Sequence, residues 1–451
     1  MITTHKELED MEESMVNLTN TVANKLKIRL SKTKLYSDLL RELILKATEK
    51  YKQKAIILID EYDTPYTNFF DDPDHAEKVR DILRSYYGQI KANDEYIGFV
   101  FITGISKFAK MGVFSSLNNL VNISPDEKYG EICGYTENEI RKYFPDYLED
   151  TANKYEITVD ELIEKMRKYY NGFCFDSEGK RRLYNPFSTL YFFQKMKFYN
   201  FWFESGTPSI IAKYLKKEKI TVEQFRNFPV SEDFITNSVE IEKAKPESFL
   251  FQTGYLSMRE GVTDDFSLDY PNTEVLNSMS SLIAQNILED KTEDYTYCRI
   301  DLLNGLIRMD YNQITSVFNR LLASIPYDDF SAAAKQSIDI NRYGFPAQEW
   351  LYRSTILAFL RGCGVVVVAE MHTNSGRADL VVTHKGKTWI MEIKVAYEGE
   401  SPAEKAEEAL RQIIDKNYAK PYPNAFCIGL AIDDSQRQIT EVRAGGQPTD
   451  A

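Results

Sequence analysis

The stretch GRADLVVTHKGKTWIMEIKV, residues 376–395, decides how the C-terminal part of the chain folds. Two apolar runs, Leu380 to Val382 and Trp389 to Ile393, flank the polar sequence His384-Lys385-Gly386-Lys387. The pattern predicts a β-hairpin with a carboxylate near the end of each arm, Asp379 on one and Glu392 on the other. Side chains alternate along a strand, so Glu392 and Lys394 share one face while Ile393 points into a core. Converging hard oxygen ligands are what Mg²⁺ requires. A cation held there can lower the pKa of a bound water and neutralise charge on a phosphoryl oxygen, and a nearby ammonium can orient or deprotonate that water. Asp379, Glu392 and Lys394 are the candidates for those roles.

Glu-x-Lys alone is common, and the weight comes from the elements around it. Upstream, AQEWLYRSTILAFLRGCG spaces Trp350, Ile356, Leu357 and Leu360 along a helical face and closes on glycines. The β-branched run VVVVAEMH then predicts a strand. Downstream, SPAEKAEEALRQIIDKNYA predicts a helix with Ser401 as N-cap and Glu404 completing a capping box, and NAFCIGLAI a last strand. The predicted order is αβββαβ.

That order, with those residues, resembles the PD-(D/E)XK nuclease superfamily, and implies a restriction-endonuclease-like fold acting on nucleic acid with Mg²⁺ or Mn²⁺. The resemblance carries over Asp379, preceded by Gly376-Arg377, as the motif aspartate, and Glu392 and Lys394 as the (D/E)-x-K pair. Glu349 on the first helix matches the acidic residue that often completes the metal site. Gln412 matches a glutamine beside the active site.

A second cluster lies in KAIILIDEYDTPY, where an apolar strand ends in Asp60-Glu61. It looks like a Walker B strand, whose first carboxylate holds Mg²⁺ and whose second can polarise the attacking water. IGFVFITGISKFAK gives another strand ending in Thr103, which resembles a polar sensor position. The strings TGISKFAKMGVFSSLNNLVNIS, EICGYTENEI, KYYNGFCFD, LYNPFSTLYFF, FWFESGTPSII and LFQTGYLSM run in the order found in the AAA-ATPase-like family of bacterial proteins, whose members carry a C-terminal PD-(D/E)XK domain. The resemblance covers almost the whole chain. It implies an incomplete P-loop NTPase-like parallel-sheet domain over 1–215, a lid or winged-helix-like helical region over 216–335, and the nuclease-like domain over 336–451.

One departure bears on mechanism. A phosphate loop needs G-x-x-x-x-G-K-[ST] between a strand and a helix, yet the first glycine in the chain is Gly88. Gly386-Lys387-Thr388 lacks the earlier glycine, position 381 being Val381, and sits in the expected hairpin. Residues 1 to about 53 read as helices instead. The expectation is a chain lacking the Walker A region, with weak or absent ATP binding and ATPase activity. Asp60, Glu61 and Thr103 would then serve nucleotide only in full-length relatives. Loss of the strand feeding the loop should leave an open, apolar sheet edge.

Composition narrows the rest. The 451 residues are 43% hydrophobic, enough for two or three ordinary domains. No signal peptide or spanning run is present, and no internal repeat or oligomerisation signal is evident. Five cysteines without C-x-x-C pairs argue against zinc and a disulfide framework, and fit a reducing cytoplasm. Four scattered histidines give little support to a histidine metal site. His372, near the hairpin, reads as a packing or polar-contact residue. The net charge of −13 speaks against broad nonspecific nucleic-acid binding. From residue 341 onward, however, 13 basic and 14 acidic residues nearly cancel, and Arg353, Arg377, Lys385 and Lys387 are candidates for a basic lip. The 29 tyrosines and 26 phenylalanines are spread at core-like spacing and read as packing. RAGGQPTDA at the C-terminus reads as disordered. The function expected is a Mg-dependent nuclease acting on DNA foremost; the alternative is a noncatalytic nucleic-acid- or partner-binding regulatory remnant.

Overall fold

The computed structural model describes residues 8–32, 35–67, 72–104, 119–124, 126–176, 178–204, 211, 214–215, 221–231, 234, 245–260, 266–287, 292–325, 347–373, 376–422 and 424–445. Among them the chain is mixed α/β and forms two compact units. Much of the GISKFAKMGVFSS string lies outside the described residues.

In the first unit, helices α1 (Leu8–Lys25) and α2 (Tyr36–Tyr51) precede strand β1 (Ala55–Ile59), as expected from the glycine-free opening. Helix α3 (Pro73–Ala92) leads into β2 (Ile97–Ile102). The two strands pair in parallel, as a two-stranded sheet. Helices α4 (Glu137–Tyr143), α5 (Pro145–Lys154), α6 (Val159–Tyr170) and α7 (Pro186–Lys195) follow. Strand β3 (Phe228–Val230), helix α8 (Pro246–Gln252) and strands β4 (Ser257–Glu260) and β5 (Phe266–Asp269) complete the unit. β4 and β5 pair in antiparallel fashion. β3, which pairs with β5, carries Pro229 and has only three residues, too short for an alternation to be read.

Among the described residues, one face of the β1–β2 sheet is uncovered. Ile56 and Leu58 are 68% and 70% exposed, Phe99 is 55% exposed, and Phe99 and Phe101 stack side by side in the open.

In the second unit, helices α9 (Thr273–Ile287), α10 (Thr292–Arg308), α11 (Tyr311–Ala323) and α12 (Ala347–Gly362) come before the hairpin strands. These are β6 (Val366–Thr373), β7 (Gly376–His384) and β8 (Lys387–Ala396), then α13 (Pro402–Asp415), β9 (Phe426–Asp433) and β10 (Gln438–Gly445). The sheet runs β10-β9-β8-β7-β6. One face packs Trp389, Met391, Ile393 and Val395 of β8 against Ile356, Leu357 and Leu360 of α12 and Val317, Phe318 and Leu321 of α11. The other packs Val381 and Ile390 against Leu410 and Ile413 of α13. A sheet covered on both faces explains the continuous apolar runs in the sequence.

The order is therefore αβββαββ, one strand longer than expected, and Arg443, Ala444 and Gly445 of the supposed tail belong to β10. That edge strand carries Glu441 and Arg443. Charges suit an exposed edge and blur the alternation by which strands are recognised. At the N-terminus of α13 the Ser401 hydroxyl accepts the Glu404 N–H at 3.4 Å, the hydroxyl half of the expected capping box, with Pro402 in the first turn.

Candidate functional site

The hairpin turn sets the register on which the site depends. Lys385 and Gly386 have φ of 47° and 77°, the left-handed pair of a two-residue turn closed by His384 and Lys387. Gly386-Lys387-Thr388 is thus a hairpin turn entering a strand. Counting back along the antiparallel ladder from His384↔Lys387 to Leu380↔Met391 brings Asp379 opposite Glu392 one rung further on. Opposed residues point to the same face.

At that rung the side chains join the hydrogen bonding. The Asp379 N–H donates to Glu392 Oε2 at 3.1 Å, and the Ile393 N–H donates to Asp379 Oδ2 at 2.8 Å. Both carboxylates are nearly dry, Asp379 5% and Glu392 1% exposed. Gln412 donates its side-chain amide to Glu392 Oε1. It can reach because α13 lies very close to β9: Gly429, the neighbour of Glu392 in the parallel β8–β9 ladder, faces Ala406 and Ala409. A Cβ at Gly429 would come within 2.4 Å of the Ala406 carbonyl oxygen, so only glycine permits this approach.

Arg353 on α12 bridges the remaining acids. Its guanidinium donates to Asp379 Oδ1 and, at 3.4 Å, to Glu349 Oε1 one helical turn back. The structure thus brings Asp379, Glu392 and Gln412 into direct contact, and joins Glu349 to them through Arg353. Lys394 is near enough for its charge to lower the pKa of both buried carboxyls.

Burial raises the pKa of Asp379 and of Glu392. For Glu392 the next cause is repulsion by Asp379, whereas at Asp379 the guanidinium of Arg353 pulls the other way. In the absence of a cation Glu392 is therefore the member of the pair that keeps a proton. Two opposed, dehydrated carboxylates form a donor set that suits a divalent ion. Among the described residues no three His, Cys, Asp or Glu side chains stand close enough together to hold a metal.

Two neighbours were not read from the sequence. Arg353 was placed on an outer lip, although its spacing of four from Glu349 marks a shared helical face. Tyr397, just beyond β8, has a buried hydroxyl with no hydrogen-bond partner among the described residues, and burial followed by the charge of Glu349 raises its pKa to about 12. Of the other lip candidates, Lys387 donates to the Ile307 carbonyl at the end of α10, and Lys385 lies exposed at the turn. The side chains of Arg377 and His372 lie outside the described residues.

At the N-terminal cluster, Asp60 and Thr103 also meet. They follow the adjacent ends of β1 and β2, and the Thr103 hydroxyl donates to Asp60 Oδ1. The Glu61 N–H donates to the same oxygen at 3.0 Å, and Glu61 itself is exposed with a left-handed φ of 53°. The C-terminal ends of parallel strands are where α/β sheets hold ligands.

Comparison with known proteins gives the same two parts. A family described as "Predicted AAA-ATPase" matches residues 2–114, and one described as "PD-(D/E)XK nuclease superfamily" matches residues 347–442. Over 385 residues, 84% of this chain and 69% of the relative, the sequence is 31% identical to an Azotobacter chroococcum mcd 1 protein described as "Uncharacterized protein in vnfD 5'region". No solved structure matches. No helix among the described residues is long and apolar enough to cross a membrane. The chain belongs to the family of AAA-ATPase-like proteins with a C-terminal domain of the PD-(D/E)XK nuclease superfamily.

Proposed function

We propose that the C-terminal domain is a metal-dependent nuclease that hydrolyses phosphodiesters of nucleic acid, DNA foremost, and that Asp379 and Glu392 hold the ion, Mg²⁺ or Mn²⁺. The observation that carries this reading is the pair of buried carboxylates facing each other across one rung of the β7–β8 hairpin. A bound divalent ion would supply a water of lowered pKa and neutralise charge on the phosphoryl oxygens. The chain's own groups do the rest. The Ile393 N–H fixes one oxygen of Asp379, and the Gln412 amide fixes one of Glu392. Lys394, on the Glu392 face of β8, offsets anionic charge and orients the attacking water or takes its proton. Glu349 adds a third negative charge from α12. The AAA-ATPase-like module would couple nucleotide state to this chemistry in relatives that possess a phosphate loop, with Asp60, Glu61 and Thr103 at that site.

Nicking of supercoiled plasmid tests the reading. Wild-type protein should cleave with Mg²⁺ or Mn²⁺ and not with EDTA, and Asp379→Ala should lose at least about 100-fold in rate. Cleavage that survives the substitution removes the assignment. A protein that binds the plasmid without cutting it under either ion favours the second reading, a noncatalytic regulatory module.

A further inference from the structure

Arg353 occupies the place where a cation is needed. Asp379 Oδ2 is committed to the Ile393 N–H, leaving Oδ1 as the oxygen outside the strand bonding, and the guanidinium holds it. Glu392 is engaged by two neutral donors, the Asp379 N–H and the Gln412 amide, which bring no charge to the pair. A second negative charge opposed across the ladder would destabilise it, and the Arg353 guanidinium is the positive group that pairs directly with Asp379 in the metal-free site. The Arg353 side chain is 12% exposed, and little water stands between it and the carboxylates to screen it.

We infer that Arg353 is an internal counter-ion that holds the metal-free site together, and that a divalent cation must displace it from Asp379, so that Arg353 sets the metal affinity of the site. The inference rests on the reading of Asp379 and Glu392 as metal ligands. Displacement is a short movement. Glu349, the guanidinium's second partner, lies one turn back on the same helix and keeps Arg353 paired when Asp379 turns to the metal. A guanidinium released at this point stays beside the site, where it can meet a phosphate with its planar fork.

Calorimetric titration of the full chain with Mn²⁺ tests this, on wild type, Arg353→Gln, Arg353→Lys and Asp379→Asn. Removing the fixed charge should tighten Mn²⁺ binding by Arg353→Gln about tenfold or more. Lysine keeps the charge but cannot bridge two carboxylates with a fork, so Arg353→Lys should fall between the two. Thermal melts add a second readout. Metal-free Arg353→Gln should melt below wild type, and saturating Mn²⁺ should close or reverse that gap. If wild type binds Mn²⁺ and Arg353→Gln binds no tighter, the counter-ion role is overturned and the ligand assignment stands. If neither binds more than Asp379→Asn, the metal site falls and the counter-ion role falls with it. Should Arg353→Gln fail to fold, Arg353→Lys decides: tighter binding than wild type supports the inference, and equal or weaker binding overturns it.

Discussion

Among the described residues two strand pairs run parallel, β1 with β2 and β8 with β9, and they have similar apolar sequences and opposite surroundings. In the second unit, α10 to α12 cover one face of the sheet and α13 the other, and every side chain from Trp389 to Ile393 is buried. In the first unit, Ile56, Leu58, Phe99 and Phe101 present a continuous apolar face. An apolar strand sequence therefore reports the capacity to be covered and not the covering itself. A complete sheet can exclude water from a pair of acids, whereas Asp60, at the open sheet, stays exposed.

The largest test of that contrast is Trp389→Ala. The ring is fully buried, packs edge-on to Phe426 with centroids 4.3 Å apart, and donates its indole N–H to the Leu306 carbonyl at 3.3 Å. Its removal should cost the second unit about 3–5 kcal/mol, read from urea denaturation by circular dichroism. A loss below about 1 kcal/mol would mean that the closed sheet is no better packed than the open one.

A smaller effect concerns charge within the closed sheet. The folded state raises the pKa of Glu392 and so binds a proton more tightly than the unfolded chain does. Stability contributed by this site is present at low pH and is lost as pH rises above the ordinary carboxylate range. Metal-free wild type should therefore lose on the order of 1–2 kcal/mol relative to Glu392→Gln between acidic and neutral pH. Excess Mg²⁺ should abolish the difference. Parallel pH profiles without metal would show that the two acids do not repel.

The smallest effect belongs to the open sheet. Leu58→Ser combined with Phe99→Ser should change stability by no more than about 0.5 kcal/mol, because neither side chain loses a buried environment. The same double variant should bind less of a hydrophobic dye and aggregate less. A fall of several kcal/mol would reveal a covered face.

The parts legible in the sequence were those fixed locally. The hairpin, its turn and the shared face of Glu392 and Lys394 follow from a period of two and a Lys-Gly pair, so the carboxylates could be placed without tertiary knowledge. The helix starting after Ser401 was equally plain, from a capping serine with Glu404 three residues on. What escaped depended on contacts between distant segments. Arg353 reaches Asp379 from 26 positions away, and nothing on its helix separates a surface arginine from one folded inward. β10 hid behind its charges. Gly429 looked like any glycine in a strand until Ala406 and Ala409 were seen against it.

The two-residue turn at Lys385-Gly386 limits how this hairpin can vary in length. Growing or shortening it by a full rung adds or removes a residue on each arm, so the separation of Asp379 and Glu392 changes in steps of two. A single inserted residue absorbed by the ladder would turn one acid toward the apolar layer beneath α12. Relatives that keep the tight turn should therefore show an odd interval between the two acids, a parity rule that can be checked from sequences alone.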